Sequence, residues 1–421
     1  MTSKKLPSIS MFNSLPFHIL LTVSLLVALI APCASAQTYT VLYTFTGGTD
    51  GGWPYSGVIR DQAGNLYGTT EVRGDVNACG LFHGCGVVYK LDPSGNETVL
   101  HTFEGDADGR QPEWGNLLRD RSGNLVDTTV YGGITGDIGL GVIYALTKNG
   151  KEVIVHRFQG GPDDGEEPQT GLIQDVDGTY YGTTAAGGNG PFGDCGTVFK
   201  MNSAGKVTIL HNFVITDGCQ PIGGLVMDAA GSMYGMTSTG GTAGKGVVYK
   251  ITKAGDVTVL HNFTGEPDGA DPLGILTIDK AGNLYGTTPG GGDRRCTTAH
   301  QGCGIVFAID TRGKEHILHS FLNPEGGLPY AGVVLDGKGN LYGSTFGFST
   351  YNFGSLFKLD RQGNFTKLHD FTGGTDGGSP FAAMTLDKST GTLYGTAYLG
   401  GLANGCDYGG GCGVIFKMTM P

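Results

Sequence analysis

Two sets of side chains that could do acid–base or metal chemistry recur at regular spacing along this chain. An acidic residue opens a [DE]-G-x-x-Pro motif seven times, at Asp50, Asp108, Asp164, Asp217, Asp268, Glu325 and Asp376. A histidine occupies one position of a TVLHNF-like segment six times, at His101, His156, His211, His261, His319 and His369, and Tyr43 takes this position in the first copy. A ring of acids could hold Ca²⁺, because hard cations prefer several oxygen ligands. Sevenfold repetition favours a structural role instead, with each acid capping its own Asp-Gly turn and each histidine packed with one hydrogen bond.

A third set of residues breaks the repetition. The position after the motif proline holds Tyr55, Glu113, Gln169, Ile222, Leu273, Tyr330 and Phe381, so its aromatic members fall in repeats six, seven and one. Two tryptophans, which lie beside this position in repeats one and two, extend the set. We therefore predict a binding surface, the aromatic arc, formed by Trp53, Tyr55, Trp114, Tyr330 and Phe381. Such rings could stack on a sugar or a peptide; the alternative is ordinary packing at the start of an inner strand.

Catalytic signatures are missing from the sequence. It contains no G-x-S-x-G, no H-E-x-x-H and no P-loop. Neighbouring carboxylates do occur, as in Asp163-Asp164 and Glu166-Glu167, but a glycosidase mechanism depends on a separation that sequence does not show. We predict no catalytic residue and no cofactor, with Ca²⁺ as the cation that the acids could hold.

The elements that would position these residues are short strands. Each motif is followed by an apolar run, a D-x-x-G turn, an NLYGTT-like segment, a variable glycine-rich loop, a GVVYKL-like segment, a turn and TVLHNF. Glycine accounts for 77 of 421 residues, which suits tight turns and argues against helices. Four strand-like segments in each repeat of about 55 residues are typical of a propeller blade.

The two ends of the repeat array predict how the ring closes. The segment TVLYTF at 40–45 is a fourth strand without its first three, and GVIFKM at 413–418 is a third strand without its fourth. We therefore predict an all-β, seven-bladed β-propeller with four strands per blade, closed by the N-terminal strand in the last blade. The motif loops and the loops between second and third strands should share one face, where we place the binding site. The opposite face, built from D-x-x-G turns, should have little room for specificity.

Residues 1–36 have the features of a secretory signal peptide. Lys4 and Lys5 precede an apolar segment at 17–32, and Ala34-Ser35-Ala36 fits a cleavage site near Ala36. We predict that residues 37–421 form one propeller, secreted to the extracellular space or the periplasm. Loss of the two lysines changes the formal charge from −11 to −13, which disfavours nucleic acid and anionic lipid as partners.

Eight cysteines follow the leader, an even number that suits an oxidising compartment. Three pairs are local, Cys79 with Cys85, Cys296 with Cys303 and Cys406 with Cys412, which leaves Cys195 for Cys219. We predict four disulfides, one of which joins neighbouring repeats. Metal binding is the alternative, since His83 and His300 lie within two of these loops.

The repeated units, written LYGTT…GG…CGVVYKL…TVLHNF, resemble the Gloeobacter/Verrucomicrobia tandem repeat, the GloVer repeat of choice-of-anchor proteins, over nearly all of 37–421. The resemblance implies an exported repeat protein and brings no characterised activity. Members often end in an anchoring signal, whereas this sequence ends within the repeat. The D-x-x-G-N-L-Y element is also similar to blades of the two-component-regulator and NHL propellers, which are mostly sensing or binding modules.

The sequence therefore predicts a secreted, monomeric, non-catalytic propeller that binds a glycan or protein ligand on its disulfide-stapled loop face, without nucleic acid and without membrane insertion. One alternative is a metal-dependent lactonase, lyase or glycosidase with acids at the channel mouth. Another is a structural component of the envelope or matrix.

Overall fold

A computed structural model describes residues 37–75, 77–80, 84–134, 139–188, 195–296, 302–401, 406 and 410–420. The predicted signal peptide at 1–36 and the two loop histidines, His83 and His300, lie outside the described residues. Within the part of the chain that is described, no helix is long and apolar enough to cross a membrane.

The described residues form thirty short strands, as the alternating apolar and β-branched segments predict. In the first half these are β1 (Thr38–Thr44), β2 (Ile59–Arg60), β3 (Leu66–Thr70), β4 (Val87–Leu91), β5 (Glu97–Thr102), β6 (Leu118–Arg119), β7 (Leu125–Thr129), β8 (Val142–Leu146), β9 (Glu152–Arg157), β10 (Ile173–Gln174), β11 (Tyr180–Thr184), β12 (Thr197–Met201), β13 (Val207–Asn212), β14 (Val226–Met227) and β15 (Met233–Thr237). In the second half they are β16 (Val247–Ile251), β17 (Val257–Asn262), β18 (Thr277–Ile278), β19 (Leu284–Thr288), β20 (Ile305–Ile309), β21 (Glu315–Ser320), β22 (Glu325–Gly327), β23 (Val334–Leu335), β24 (Leu341–Thr345), β25 (Gly347–Ser349), β26 (Ser355–Leu359), β27 (Phe365–Asp370), β28 (Thr385–Asp387), β29 (Thr392–Ala397) and β30 (Val414–Thr419).

These strands build seven antiparallel sheets of four strands each, which we number as blades 1 to 7. Blades 1 to 5 take consecutive groups of four from β2 to β21, and blade 6 contains β23, β24, β26 and β27. Blade 7 has the order β1-β30-β29-β28, so the first strand completes the last blade, with Val41 opposite Phe416. The predicted seven-bladed propeller and its mode of closure are confirmed. A small extra pair, β22 and β25, lies above blade 6.

The core lies between the blades. An aromatic residue of each third strand meets, edge to face, the phenylalanine that ends the fourth strand of the preceding blade, with ring centroids 5.0–5.7 Å apart. The glycine of the Tyr-Gly pair makes room for this ring. A Cβ atom at Gly68 would lie 2.4 Å from the hydroxyl of Tyr89. The repeated glycine is therefore a packing requirement.

A backbone latch joins each blade to the next. The residue before each motif proline has a left-handed φ between 52° and 60°, although none is glycine: Trp53, Gln111, Glu167, Gln220, Asp271, Leu328 and Ser379. Each donates its N–H to a carbonyl in the loop between the second and third strands of the preceding blade, over 2.7–3.1 Å. The motif loops and these 2–3 loops therefore share one face, and isolated bridges such as Gly52 with Val72 also join them.

Four disulfides form with the predicted pairing: Cys79–Cys85, Cys195–Cys219, Cys296–Cys303 and Cys406–Cys412. Four of the seven latch acceptors are cysteine carbonyls, those of Cys85, Cys195, Cys303 and Cys412. The bridges thus hold the loops that latch the next blade. Four disulfides indicate an extracellular or periplasmic location.

Candidate binding site

The aromatic arc is continuous in the structure, with Phe381 at its centre. Phe381 stacks on Tyr330 at 4.8 Å and on Trp114 at 5.5 Å, and it meets Tyr55 edge to face at 5.2 Å. Trp53 joins the arc through Tyr398, whose ring lies 5.6 Å away. All five predicted residues are partly exposed. The arrangement presents a half-buried aromatic surface.

Two further rings belong to this surface and were missed by sequence reasoning. Tyr398 lies 4.3 Å from Tyr55, and Phe346 lies 5.3 Å from Tyr330, by ring centroids. Both occupy the position directly after the second strand, which in blade 1 holds Glu71. The repeats have Val, Ala, Ser or Pro at the same position in blades 2 to 5. This second break in symmetry falls in blades 6, 7 and 1, and it could have identified these residues.

The channel itself is nearly filled at this end. The cavity between Trp114, Phe381 and Tyr330 on one side and Ile222 and Leu273 on the other has a volume of about 20 Å³. That volume suits about one water molecule. A ligand of this surface would therefore lie across the mouth of the channel.

A pair of carboxyl groups adjoins the arc. Glu71 is 9% exposed, and its carboxyl group is close enough to that of Glu113 for the two to interact. Gln111 donates its Nε2–H to Glu71 Oε1 over 3.2 Å, while the buried Oε2 atom of Glu71 has no hydrogen-bond partner. Burial raises the pKa of Glu71, and burial followed by the charge of Glu71 raises the pKa of Glu113 well above its ordinary value. The two groups are best satisfied when they share one proton.

Blade 2 departs from the repeat at this pair. Five residue steps separate Pro112 from Leu117, whereas the corresponding proline and core residue are four steps apart in the other blades. The extra residue is accommodated by Trp114, whose φ is 51°. Asn116 then reaches blade 1 and accepts the Gly57 N–H over 3.0 Å. The insertion projects the indole toward Phe381 and so completes the arc.

Asp127 marks a second irregularity of blade 2. It replaces the glycine of the other six repeats and is 2% exposed, and its Oδ1 atom has no hydrogen-bond partner. A Cβ atom at Gly115 would lie 3.0 Å from this oxygen, so Asp127 lies directly beneath the inserted segment. Burial raises its pKa to about 7.

The repeated acids and histidines lie elsewhere, and the structure pairs them. Each motif acid contacts the histidine of the preceding fourth strand, with N–O distances from 2.7 Å for His156–Asp164 to 3.4 Å for His101–Asp108. Tyr43 makes the equivalent contact with Asp50 at 3.0 Å. Each acid also accepts a backbone N–H within its own loop, as Asp50 does from Thr46. Sequence reasoning treated the two sets separately and missed this contact.

The opposite face carries a groove, although the turn motifs predict little room there for specific binding. A groove of about 1120 Å³ lies there between the turns of blades 5, 6 and 7. Lys280, Lys338 and Lys388 line it together with Asp279 and Asp336. It carries no aromatic cluster comparable to the arc among the residues described, and the loop face remains the better candidate.

The comparison with known protein families agrees with the repeat pattern of the sequence. The profile of the Gloeobacter/Verrucomicrobia repeat matches residues 76–300 and 295–421. No curated protein is similar enough in sequence to match the chain.

Solved structures share the fold at low sequence identity. The extracellular domain of the hybrid two component system BT3049 from B. thetaiotaomicron has a TM-score of 0.53 at 14% identity, over 91% of this chain and 41% of that chain. The extracellular domain of the one component system BT4673 from the same organism gives 0.51 at 14%, over 91% and 42%. The XC5397 gluconolactonase of Xanthomonas campestris gives 0.46 at 15%, over 94% and 93%. The chain thus spans less than half the length of the two extracellular-domain chains.

Proposed function

The chain belongs to the Gloeobacter/Verrucomicrobia repeat family, and on this premise we propose that it is an exported propeller that binds a saccharide across the aromatic arc. The observation that carries the proposal is the continuous aromatic surface centred on Phe381, with two carboxyl groups at its edge. Aromatic faces stack on the C–H faces of sugar rings, and carboxylate oxygens accept bonds from their hydroxyls. The mixed surface suits a sugar better than a purely apolar ligand.

The spacing of the carboxyl groups favours binding over cleavage. Retaining glycosidases hold their two carboxyl groups about 5–5.5 Å apart, and inverting enzymes about 6.5–9.5 Å apart. Glu71 and Glu113 lie close enough for each to change the pKa of the other, which supports a binding role over cleavage between two well-separated carboxyl groups. The pair is therefore suited to hold a hydroxyl group of the ligand.

The proposed site is formed by side chains from four neighbouring blades of the closed ring and not by a single repeat. Tyr330 comes from blade 6, Phe381 from blade 7, Tyr55 and Glu71 from blade 1, and Trp114 from blade 2. Closure of blade 7 by β1 brings these four blades together. A single repeat would present one or two of these side chains, so we expect the specificity to come from positions where the repeats differ.

Binding to a glycan array, followed by calorimetric titration of the best oligosaccharide, tests the proposal. We expect Tyr330→Ala and Trp114→Ala to weaken binding at least about tenfold, which corresponds to about 1.4 kcal/mol. Tyr351→Ala is the matched control, because this tyrosine is 56% exposed and lies outside the arc. Equal affinity of all three variants would refute the arc as the site. Release of shortened products from a bound oligosaccharide would refute a purely binding role.

A further inference from the structure

One position of the fourth strand decides what faces each histidine–acid pair. This position, four residues before the histidine or its Tyr43 equivalent, holds Glu97, Glu152, Val207, Val257, Glu315, Phe365 and Tyr39 in blades 1 to 7. Its side chain faces the pair formed between the preceding blade and its own. In blades 6 and 7 the aromatic ring stacks on the histidine, at 4.5 Å for Phe365 on His319 and 3.8 Å for Tyr39 on His369.

In blades 2 and 5 this position adds a carboxylate to a histidine and an acid. The resulting clusters are His101 with Asp108 and Glu152, and His261 with Asp268 and Glu315. In each cluster, one ligand atom from every residue lies within 4.8 Å of the others. Glu97 has no such partner set, because the facing pair is Tyr43 with Asp50. The chain therefore offers two clusters of the same residue types, and blade 1 has a glutamate at the same position without a histidine beside it.

The first cluster has the dimensions of a metal site. His101 Nε2 lies 3.4 Å from Asp108 Oδ2 and 3.5 Å from Glu152 Oε1. In a tetrahedral site with metal–ligand bonds of about 2.0–2.2 Å, ligand atoms lie about 3.3–3.6 Å apart. Two of the three separations therefore match a tetrahedral site, and the third, between the two carboxylates, lies within 4.8 Å.

The polar atoms of this cluster are poorly satisfied by the protein. The buried atoms His101 Nε2 and Glu152 Oε1 have no hydrogen-bond partner, and each side chain is 17–18% exposed. Burial raises the pKa of Glu152, the carboxylate of Asp108 adds to the rise, and His101 opposes it. A divalent cation would offset the repulsion between the two carboxylates and bind the His101 nitrogen, which has no hydrogen-bond partner.

We propose that these two inter-blade clusters bind divalent transition-metal ions of the Zn²⁺ type. An imidazole nitrogen with two carboxylates is a set that suits Zn²⁺, whereas Ca²⁺ takes six to eight oxygen ligands. The fourth coordination position would hold water. The His261 cluster binds more weakly, because His261 Nε2 and Asp268 Oδ1 already form a hydrogen bond at 3.1 Å. This inference concerns the rim of the propeller and does not depend on the saccharide site.

Zinc titration of the chelator-treated, disulfide-bonded protein, with metal content measured by mass spectrometry, tests the proposal. We expect two Zn²⁺ per chain, one after Glu152→Val or Glu315→Val, and none in the double variant. Valine is the residue that this chain itself has at the position in blades 3 and 4, so these variants should fold. Near-UV circular dichroism checks the fold independently.

Glu97→Val is the matched control and should retain both ions. Absence of Zn²⁺ binding at micromolar concentration, or equal loss in the Glu97 variant, would overturn the proposal. Retention of Zn²⁺ by the double variant would also overturn it and would assign the metal to other residues, such as the loop histidines.

Discussion

The Nε2 atom of His156 lies 2.7 Å from Oδ1 of Asp164, and this contact ties the last strand of blade 2 to the loop that leads into blade 3. The same contact recurs between every pair of neighbouring blades, with tyrosine in place of histidine at Tyr43. The outer edge of one blade thus fixes the loop from which the inner strand of the next begins.

Loss of one such contact should destabilise the ring. We expect His156→Ala to lower the free energy of unfolding by about 1.5–3 kcal/mol, because Asp164 is mostly buried and loses a charge-assisted partner. His156→Tyr is the matched control and should retain most of the stability, since Tyr43 already makes this contact in the same fold. Urea unfolding followed by fluorescence measures both. Equal destabilisation by the two variants would contradict this role.

Replacement of Asp127 should stabilise the protein in a pH-dependent way. The folded pKa of about 7 lies above the ordinary value of 3.8, so folding binds a proton between these pH values and stability falls as pH rises through them. The cost above pH 7 is about 4 kcal/mol at most. We expect Asp127→Asn to be more stable than the wild type at pH 8, with the difference shrinking toward pH 4.

An aspartate introduced at the equivalent glycine of another blade provides the control for Asp127. Gly286→Asp should destabilise blade 5, because a Cβ atom there would lie 2.6 Å from the ring of Phe307. Thermal unfolding of both variants at pH 4, 6 and 8 gives the comparison. A pH-independent difference between wild type and Asp127→Asn would show that Asp127 is not a buried acid.

The carboxyl pair at the channel mouth should also make stability depend on pH. Both folded pKa values are raised, so the pair destabilises the fold as pH rises above the ordinary value of 4.5. We expect Glu113→Gln, whose amide can donate to Glu71, to lose less thermal stability than the wild type between pH 5 and pH 8. Glu104→Gln is the control, because Glu104 is exposed. A wild-type pH profile in Glu113→Gln would contradict a shared proton.

The inter-blade disulfide should contribute more than a local one. Cys195 and Cys219 are 24 residues apart, and Cys79 and Cys85 are 6 apart. Loop-closure entropy predicts a loss of about 3.5 kcal/mol when the first is replaced by two alanines and about 2.4 kcal/mol for the second. Denaturant unfolding of the two double variants tests the order. The opposite order would show that chain entropy is not the main contribution of these bridges.

Much of this architecture is encoded locally and was therefore predictable. The strand types, the seven repeats, the disulfide pairing and closure by β1 all follow from motifs within one repeat or from counting copies. The arc was also predictable, since a break in sevenfold repetition is visible in the sequence. Tyr398 and Phe346 could have been found by the same comparison at one more position.

The contacts that the sequence did not predict are contacts between neighbouring blades. Glu71 follows a second strand in blade 1 and Glu113 precedes a first strand in blade 2, so only the angle between two sheets brings their carboxyl groups together. The histidines and motif acids are close in sequence, yet a loop of several residues separates them and hides their contact. The raised pKa of Asp127 follows from its burial in the folded blade, which a motif count does not show.

The pairing of β1 with β30 has a consequence for the order in which the protein can be assembled. During synthesis β1 emerges first, but its partner comes from the opposite end of the described chain. Six blades can form from consecutive strands while β1 still lacks its partner strand. The ring closes only after β30 has been synthesised and pairs with β1. A chain interrupted before that strand would keep two open edges and would be recognisable to quality-control proteases as unfinished.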